Sequence, residues 1–409
     1  MDVKLSGGEE YDRYVAPVRM LCKFISIWPL DLDDVGGDVM KLDKGRKFQS
    51  CHRVFIFIFM TLIIVSQVAD VVRNWGKLEE VTEACAAASS CILTVFRLTI
   101  YTIQQKNIYI ILEKMRLDWV SSSEEDRAIL RKKCGPAFTM AKYFTICTSA
   151  SMTIIFLSPT LKKKKKYILN EKRKAFPGKF KSTPTYQILY AAKVIAGTYG
   201  LSNVAAVNGF NLISIIHASA KFLILQSHLS GLNSDDKRSE GLLRLYIQEH
   251  QKAIAFADIL EEIINKVALG QFVISTGLVC FAGIQISEML DNKIHLALYT
   301  VYLTAAIFEL FLFSYSGYHL ALESELVGDS AFNSFWVGSS FTQNLNIVMM
   351  RSTKPSKITA AKFYDMSLES FSMVRKARFL YTIIIQYNFG QQYPSRFKVD
   401  ECPMFHFRS

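Results

Sequence analysis

The sequence predicts an all-α polytopic membrane protein: seven transmembrane helices, a cytosolic N-terminus, and cytosolic helical extensions that form an anchor. Three observations carry this. Half of the 409 residues are hydrophobic, and they gather into long runs instead of being spread as in water-soluble domains. Several runs, such as "VFIFIFMTLIIVSQVADVV" from Val54 and "HLALYTVYLTAAIFELFLFSYSGY" from His295, reach the roughly 20 residues that cross a hydrocarbon core of about 30 Å. Lys and Arg, finally, favour alternate connections. With the N-terminus inside, the inner segments carry 25 of them and the outer segments 15, as the positive-inside rule expects.

Residues 1–53 contain Lys4, Arg13, Arg19 and Lys23 early on and no unbroken apolar stretch of the signal-peptide kind, so they read as a retained cytosolic segment. The crossings follow at about 54–73, 82–103, 137–160, 187–229, 267–289, 295–318 and 367–389. The outer loop at 160–186 dissents from the charge bias with ten cations, "KKKKK" among them. It reads as a solvated loop that does not control insertion, or as an electropositive face for anionic partners.

The fourth crossing exceeds what a bilayer needs and carries Lys193, His217 and Lys221, so its inner end continues into the cytosol. His217 reads as an interhelical residue with a partner, not as a ligand to a metal. The fifth crossing has an amphipathic preface. Leu243, Tyr246, Ile247, Ile254, Ala257, Leu260, Ile264 and Val267 fall on one helical stripe with most charge off it. The chain therefore divides into a cytosolic N-terminal segment (1–53), spans one to four with a ligand cavity (54–230), a region with the amphipathic extension and spans five and six (231–366), the last span (367–389) and an outer tail (390–409).

Catalysis finds no support. The chain contains no HExxH, GxxxxGK[ST] or CxxC, so neither an enzyme nor a cofactor or metal site is expected. The net charge of +12 belongs to membrane flanks, not to a nucleic-acid module. Ionisable groups inside spans are costly unless paired or facing water. Arg97 in span two and Glu309 in span six have opposite sign, and two readings stand: they pair across the bundle, or each snorkels to a membrane edge.

The outer halves of spans two, three, four and six supply small, aromatic and hydroxyl side chains. These are Ala88, Cys91 and Ile92; Ser149, Met152, Thr153 and Phe156; Tyr199, Asn203 and Val207; and Tyr299, Tyr302 and Ala306. An apolar cavity with a few hydroxyls suits a small volatile or lipophilic ligand, because apolar burial supplies most of the affinity and a polar anchor orients it. Helix packing explains any one of these residues as well. In the last span Phe371, Arg375, Arg378, Thr382 and Gln386 share one arc of the helix. A polar stripe on an apolar helix lines a water-filled path shared between subunits, or it is the solvated face of a helix that enters the membrane only near Phe379.

The stretch "GYHLALESELVGDSAFNSFWVGSSFTQNLNIVMMRSTKPSKITAAKFYDMSLESF" resembles the C-terminal signature of insect odorant receptors. Its marks are Ser324, Trp336, Met350, Arg351, Ser352, Pro355, Lys362, Phe363, Ser367, Leu368, Glu369 and Phe371. The resemblance implies an odorant-gated, non-selective cation channel in the plasma membrane of sensory neurons, with the N-terminus cytosolic. It implies a partner too, the odorant receptor co-receptor in a hetero-tetramer embedded in membrane lipid and joined by the cytosolic anchor. The family's split seventh helix corresponds to about 333–350 and 367–389. Gln386 resembles a pore-facing glutamine of the family, with Ile383 or Ile385 as the gate. Arg375 and Arg378 stand where the family usually has an apolar and a small residue. Rival classes are a gustatory-type channel of the same superfamily, disfavoured by this signature, and a G-protein-coupled receptor, disfavoured by the inverted charge bias. A transporter would show internal repeats, and the chain has none.

Overall fold

Residues 6–32, 39–76, 78–161, 183–233, 238–288, 293–336, 342–362 and 364–373 are described by the computed structural model. Their helices are α1 (Gly7–Phe24), α2 (Val39–Arg73), α3 (Leu78–Ile103), α4 (Gln105–Ser121), α5 (Glu124–Leu161), α6 (Thr183–Ser230), α7 (Ser239–Glu288), α8 (Lys293–Phe332) and α9 (Thr342–Ser352), with a short 3-10 turn at Leu30–Leu32. A small antiparallel hairpin, β1 (Thr359–Ala360) and β2 (Tyr364–Asp365), precedes a further helical stretch opening at 368. Among the described residues five helices are long and apolar enough to cross a membrane: Leu42–Arg73, Glu80–Ile103, Ala191–Ser230, Ser239–Val279 and Leu303–Phe332. The all-α membrane architecture expected from the apolar runs is present.

Burial separates the lipid-facing from the inward-facing surfaces. On α2, Phe55, Ile58, Leu62, Val65 and Val72 are all exposed, an apolar stripe at helical spacing that suits a hydrocarbon surrounding. In contrast α6 is the centre of the bundle. From Ala205 to Ala220 every residue is buried, serines, asparagines and a histidine included, because α1, α3, α5, α7 and α8 all pack against this helix.

Two helices lie where the sequence suggested only a cytosolic segment and an inner connection. In α1 a stripe of Tyr11, Val15, Val18, Leu21 and Cys22 is buried, and its start is closed by a capping box between Ser6 and Glu9 that satisfies otherwise orphaned N–H groups. Gly209 of α6 makes room for it: a Cβ there would come within 2.8 Å of Val18 Cγ2. Tyr14 stacks on Phe138 of α5 at 4.7 Å and leans on Trp119 of α4. The segment 1–53 is thus in large part a packed element of the core. The other helix, α4, buries Ile108, Ile111, Leu112, Met115 and Trp119 beyond the membrane end of α3.

At one end of the bundle α8 and α7 pack with α9, and α7 with strand β1 of the hairpin. Leu243, Ala257, Leu260, Ile264 and Val267 of the amphipathic preface are buried within this chain's own core. The hairpin is held on both sides. Thr359 donates its N–H to Glu261 Oε2 at 2.9 Å, the N–H of Ser356 donates to Ser324 Oγ at 2.7 Å, and Gly317 lies so close to the Met366 carbonyl that a Cβ would sit 2.3 Å from its oxygen. The helix before the hairpin is Thr342–Ser352, overlapping the 333–350 expected; residues 333–336, where that helix was expected to open, form a turn after α8, and 337–341 lie outside the described residues.

Candidate functional site

The residues expected to line a ligand cavity fall into groups. Ala88, Asn203, Val207 and Ala306 are buried and Cys91 is half-buried. Helices α3 and α6 approach at Thr94 and Gly200, where a Cβ on the glycine would lie 3.7 Å from the threonine hydroxyl. Ser149 is half-buried on α5. Ile92 turns outward, 44% exposed. Met152, Thr153, Phe156, Tyr299 and Tyr302 lie on the helical backbones of α5 and α8, and their side chains are outside the described residues. So are all of Arg375, Arg378, Thr382, Ile383, Ile385 and Gln386.

Tyr199 is already engaged. Its hydroxyl meets His52 Nε2 at 3.0 Å, the other ring nitrogen of His52 meets Ser26 Oγ at 2.7 Å, and the Tyr199 ring stacks on Phe24 at 5.3 Å. Ser26 holds a left-handed backbone, φ 61°, so a locally strained turn between α1 and α2 is tied to α6 through one histidine.

Further along α3 stands a polar cluster. Arg97 is wholly buried, and its Nη2 donates to Glu309 Oε2 of α8 at 2.9 Å and to Gln271 Oε1 of α7. Gln271 Nε2 in turn donates to Glu309 Oε2 and to Ser275 Oγ, both at 2.6 Å. Of the two readings of Arg97 and Glu309, pairing across the bundle is the one realised. A lone charge at this depth would be costly, and the pair with its shared amide lowers that cost. Even so, Arg97 Nε and Nη1 have no partner among the described residues, and neither do the side-chain amides of Asn203 and Asn208.

Asn208 and Asn211 line a slot between α6 and α8 with Leu212, Leu312, Phe313 and Ser316, too narrow in this conformation to admit water. Asn211 Oδ1 accepts from the Tyr101 hydroxyl. Sequence reasoning singled out Asn203 but passed over Asn208, Asn211 and Gln271. The signal was present, since three asparagines interrupt the apolar run "SNVAAVNGFNLIS".

Farther along the bundle a second set of ion pairs ties the helices together. Asp118 Oδ2 meets His217 Nε2 at 2.9 Å and Lys221 Nζ at 2.7 Å, so His217 is an interhelical residue as expected. Burial alone would raise the Asp118 carboxyl, but the hydrogen bonds and charges of His217 and Lys221 prevail and hold it below the usual carboxylate value. Lys133 of α5 meets Glu323 of α8 at 2.6 Å, and Gln226 of α6 donates to the same carboxylate and to its backbone carbonyl. The arrangement holds four helices in fixed register, and nothing in it resembles a nucleophile with a base.

Residues 77–379 match the model of the family described as 7tm Odorant receptor. Odorant receptor 13a of Drosophila melanogaster is 22% identical over 363 residues, 81% of this chain and 86% of that receptor. Odorant receptor 82a of the same species is also 22% identical, over 82% of this chain and 91% of its own. The fold is similar to that of the olfactory receptor OR5 of Machilis hrabei in complex with eugenol, with a TM-score of 0.76 at 12% identity, over 92% of this chain and 99% of that one.

Proposed function

With a family match across residues 77–379 the chain belongs to the odorant receptor family of insects, and from that premise we propose that it is an odorant-gated, non-selective cation channel subunit acting with the odorant receptor co-receptor. The family match is the observation that carries this reading. The ligand is a small volatile or lipophilic molecule, a class to which eugenol, held by the Machilis receptor, belongs. Its cavity is built from the outer halves of α3, α5, α6 and α8, where buried Ala88, Asn203, Val207 and Ala306 supply apolar walls and one amide without a partner. The N-terminus lies in the cytosol and the membrane is that of a sensory neuron. Helix 367–389 lines the pore.

Co-expression with the co-receptor and current recording across an odorant panel tests the proposal. Odorant-evoked cation currents that need both chains are the expected result. Currents that need a G protein, or no current in any pairing despite surface expression, would overturn it. Epitopes at the two termini check the orientation, with an N-terminal tag expected to stain only after permeabilisation.

A further inference from the structure

The outward faces of α2 and α6 meet at the tip of α1. On α6, Ile188 and Ile195 are exposed and Tyr199 is half-buried, at a helical spacing that puts all three on one face. The cover of that face changes at Tyr199. Phe24, the last residue of α1, stacks on the Tyr199 ring at 5.3 Å, His52 of α2 leans on the same ring at 5.8 Å, and Phe48 stacks on His52 at 6.1 Å. From there α1 follows α6. Cys22 Sγ lies 3.9 Å from the Ala206 carbonyl oxygen, and Val18 fills the space beside Gly209.

The other neighbours of α6 fix the depth of this tip. Gly200 faces Thr94 of α3, and Asn211 accepts a hydrogen bond from Tyr101. The stretch of α6 that α1 covers therefore runs beside residues 94–101 of α3, which include the buried Arg97. Those residues lie within Glu80–Ile103, one of the helices long and apolar enough to cross a membrane. The tip of α1 thus stands at a level where the bundle is surrounded by hydrocarbon.

Among the described residues, the outer face of the tip is left open. Met20 is 61% and Phe24 44% exposed, one helical turn apart, and Phe48 is 73% exposed on a face of α2 that continues through Phe55 and Leu62. Single exposed apolar side chains are ordinary on a water-facing surface. These are not single. The ring contacts join them to the outward stripes of both α2 and α6, and a continuous apolar surface of that kind marks a partner. Lys23 is exposed beside them, and its apolar stem suits such a surface while its ammonium reaches for headgroups.

We infer that the tip of α1 and the start of α2 bind lipid acyl chains through Met20, Phe24 and Phe48, so that the first helix of the chain is seated in one leaflet of the bilayer instead of beneath it. Continuity with the two outward stripes selects lipid over a second protein, because one surrounding then covers all three helices. With the N-terminus cytosolic, as proposed above, the leaflet is the inner one.

The test places the photoreactive residue p-benzoylphenylalanine singly at Met20, Phe24, Phe48, Leu62 or Glu125 of the full-length protein in phosphatidylcholine nanodiscs. Each site is exposed, so the added ring displaces no core side chain. After irradiation, intact-protein mass spectrometry reads a gain of one lipid mass. The variants at Met20, Phe24 and Phe48 are expected to gain lipid in a yield comparable with that at Leu62, and the variant at Glu125, in the connection of α4 to α5, none. Lipid at Leu62 with none at Met20 and Phe24 would overturn the inference. So would crosslinking of Met20 or Phe24 to a second protein chain in place of lipid, which would make the face a subunit contact. The adducts form whichever side the N-terminus occupies, so an epitope result against the proposed orientation leaves this test standing.

Discussion

Arg97 and Glu309 lie 212 positions apart in the chain and meet at 2.9 Å, with the guanidinium wholly removed from solvent. Gln271 completes the contact, so three helices, α3, α7 and α8, are locked at one depth. Arg97→Met or Glu309→Leu alone strands the other charge and is expected to cost about 3–5 kcal/mol. The double variant removes both charges and is expected to recover most of that loss. Thermal unfolding of the detergent-solubilised protein measures it, and a double variant no better than the singles would mean the two groups do not act as a pair.

Gly317 on α8 touches the Met366 carbonyl, the point at which the chain leaves the hairpin for its last helix. Gly317→Ala is expected to force that backbone away, lowering stability by 1–3 kcal/mol, the range of an overpacked site. Gly135→Ala meets nothing within 4 Å and is expected to be neutral or to gain up to about 1 kcal/mol from helix propensity. Paired melting curves of the two variants, in one detergent, check the contrast.

The tyrosines should separate ligand contact from packing. Tyr299→Ala and Tyr302→Ala, three apart on one face of α8, are expected to shift the agonist concentration response at normal surface expression. Tyr199→Phe loses its bond to His52 and is expected to lower stability by about 1 kcal/mol with little change in agonist sensitivity. Dose–response curves beside surface-biotinylation counts decide the matter, and a large agonist shift in Tyr199→Phe would mean that its hydroxyl contacts the ligand.

In "SMVRKARFLYTIIIQY", Arg375 and Arg378 place positive charge at the cytosolic end of the proposed pore helix. A like charge about 6 Å from a cation costs roughly 0.7 kcal/mol in bulk-like water and a few kcal/mol at an effective dielectric near 20. Arg378→Ser is therefore expected to raise single-channel current or weaken rectification, most clearly at low salt where screening is weak. Unchanged conductance and rectification would remove Arg378 from the conduction path.

What was legible in the sequence follows from what selects each residue. Lipid selects composition, so long apolar runs such as the one from Val54 announce themselves. Arg97 and Glu309 were visible as opposite charges in forbidden places, although only the structure shows that they meet and that Gln271 joins them. Helix α1 was hidden because its buried stripe, which includes Glu10, alternates with Asp12, Arg13 and Arg19, and Pro17 stands in its middle. A short amphipathic helix of that kind reads as a solvated tail until its seat is known. Leu260 and Ile264 were legible as a stripe, but the pattern could not say whether the cover was another subunit or, as found, the chain itself. The tie between Tyr199 and His52, 147 positions apart, leaves no periodic trace at all.

The seat of α1 also sets an order of events at the ribosome. Val18 needs Gly209 and Tyr14 needs Phe138, yet α1 is made first and Gly209 follows some 185 residues later. At roughly 5–20 residues per second, translation leaves α1 waiting about 10–40 s. Through that interval its stripe of Tyr11, Val15, Val18 and Leu21 can meet α4 and α5 as they emerge, but not the face of α6 that closes over Val18. The packing of α1 is thus completed only once α6 has been made, long after α1 itself.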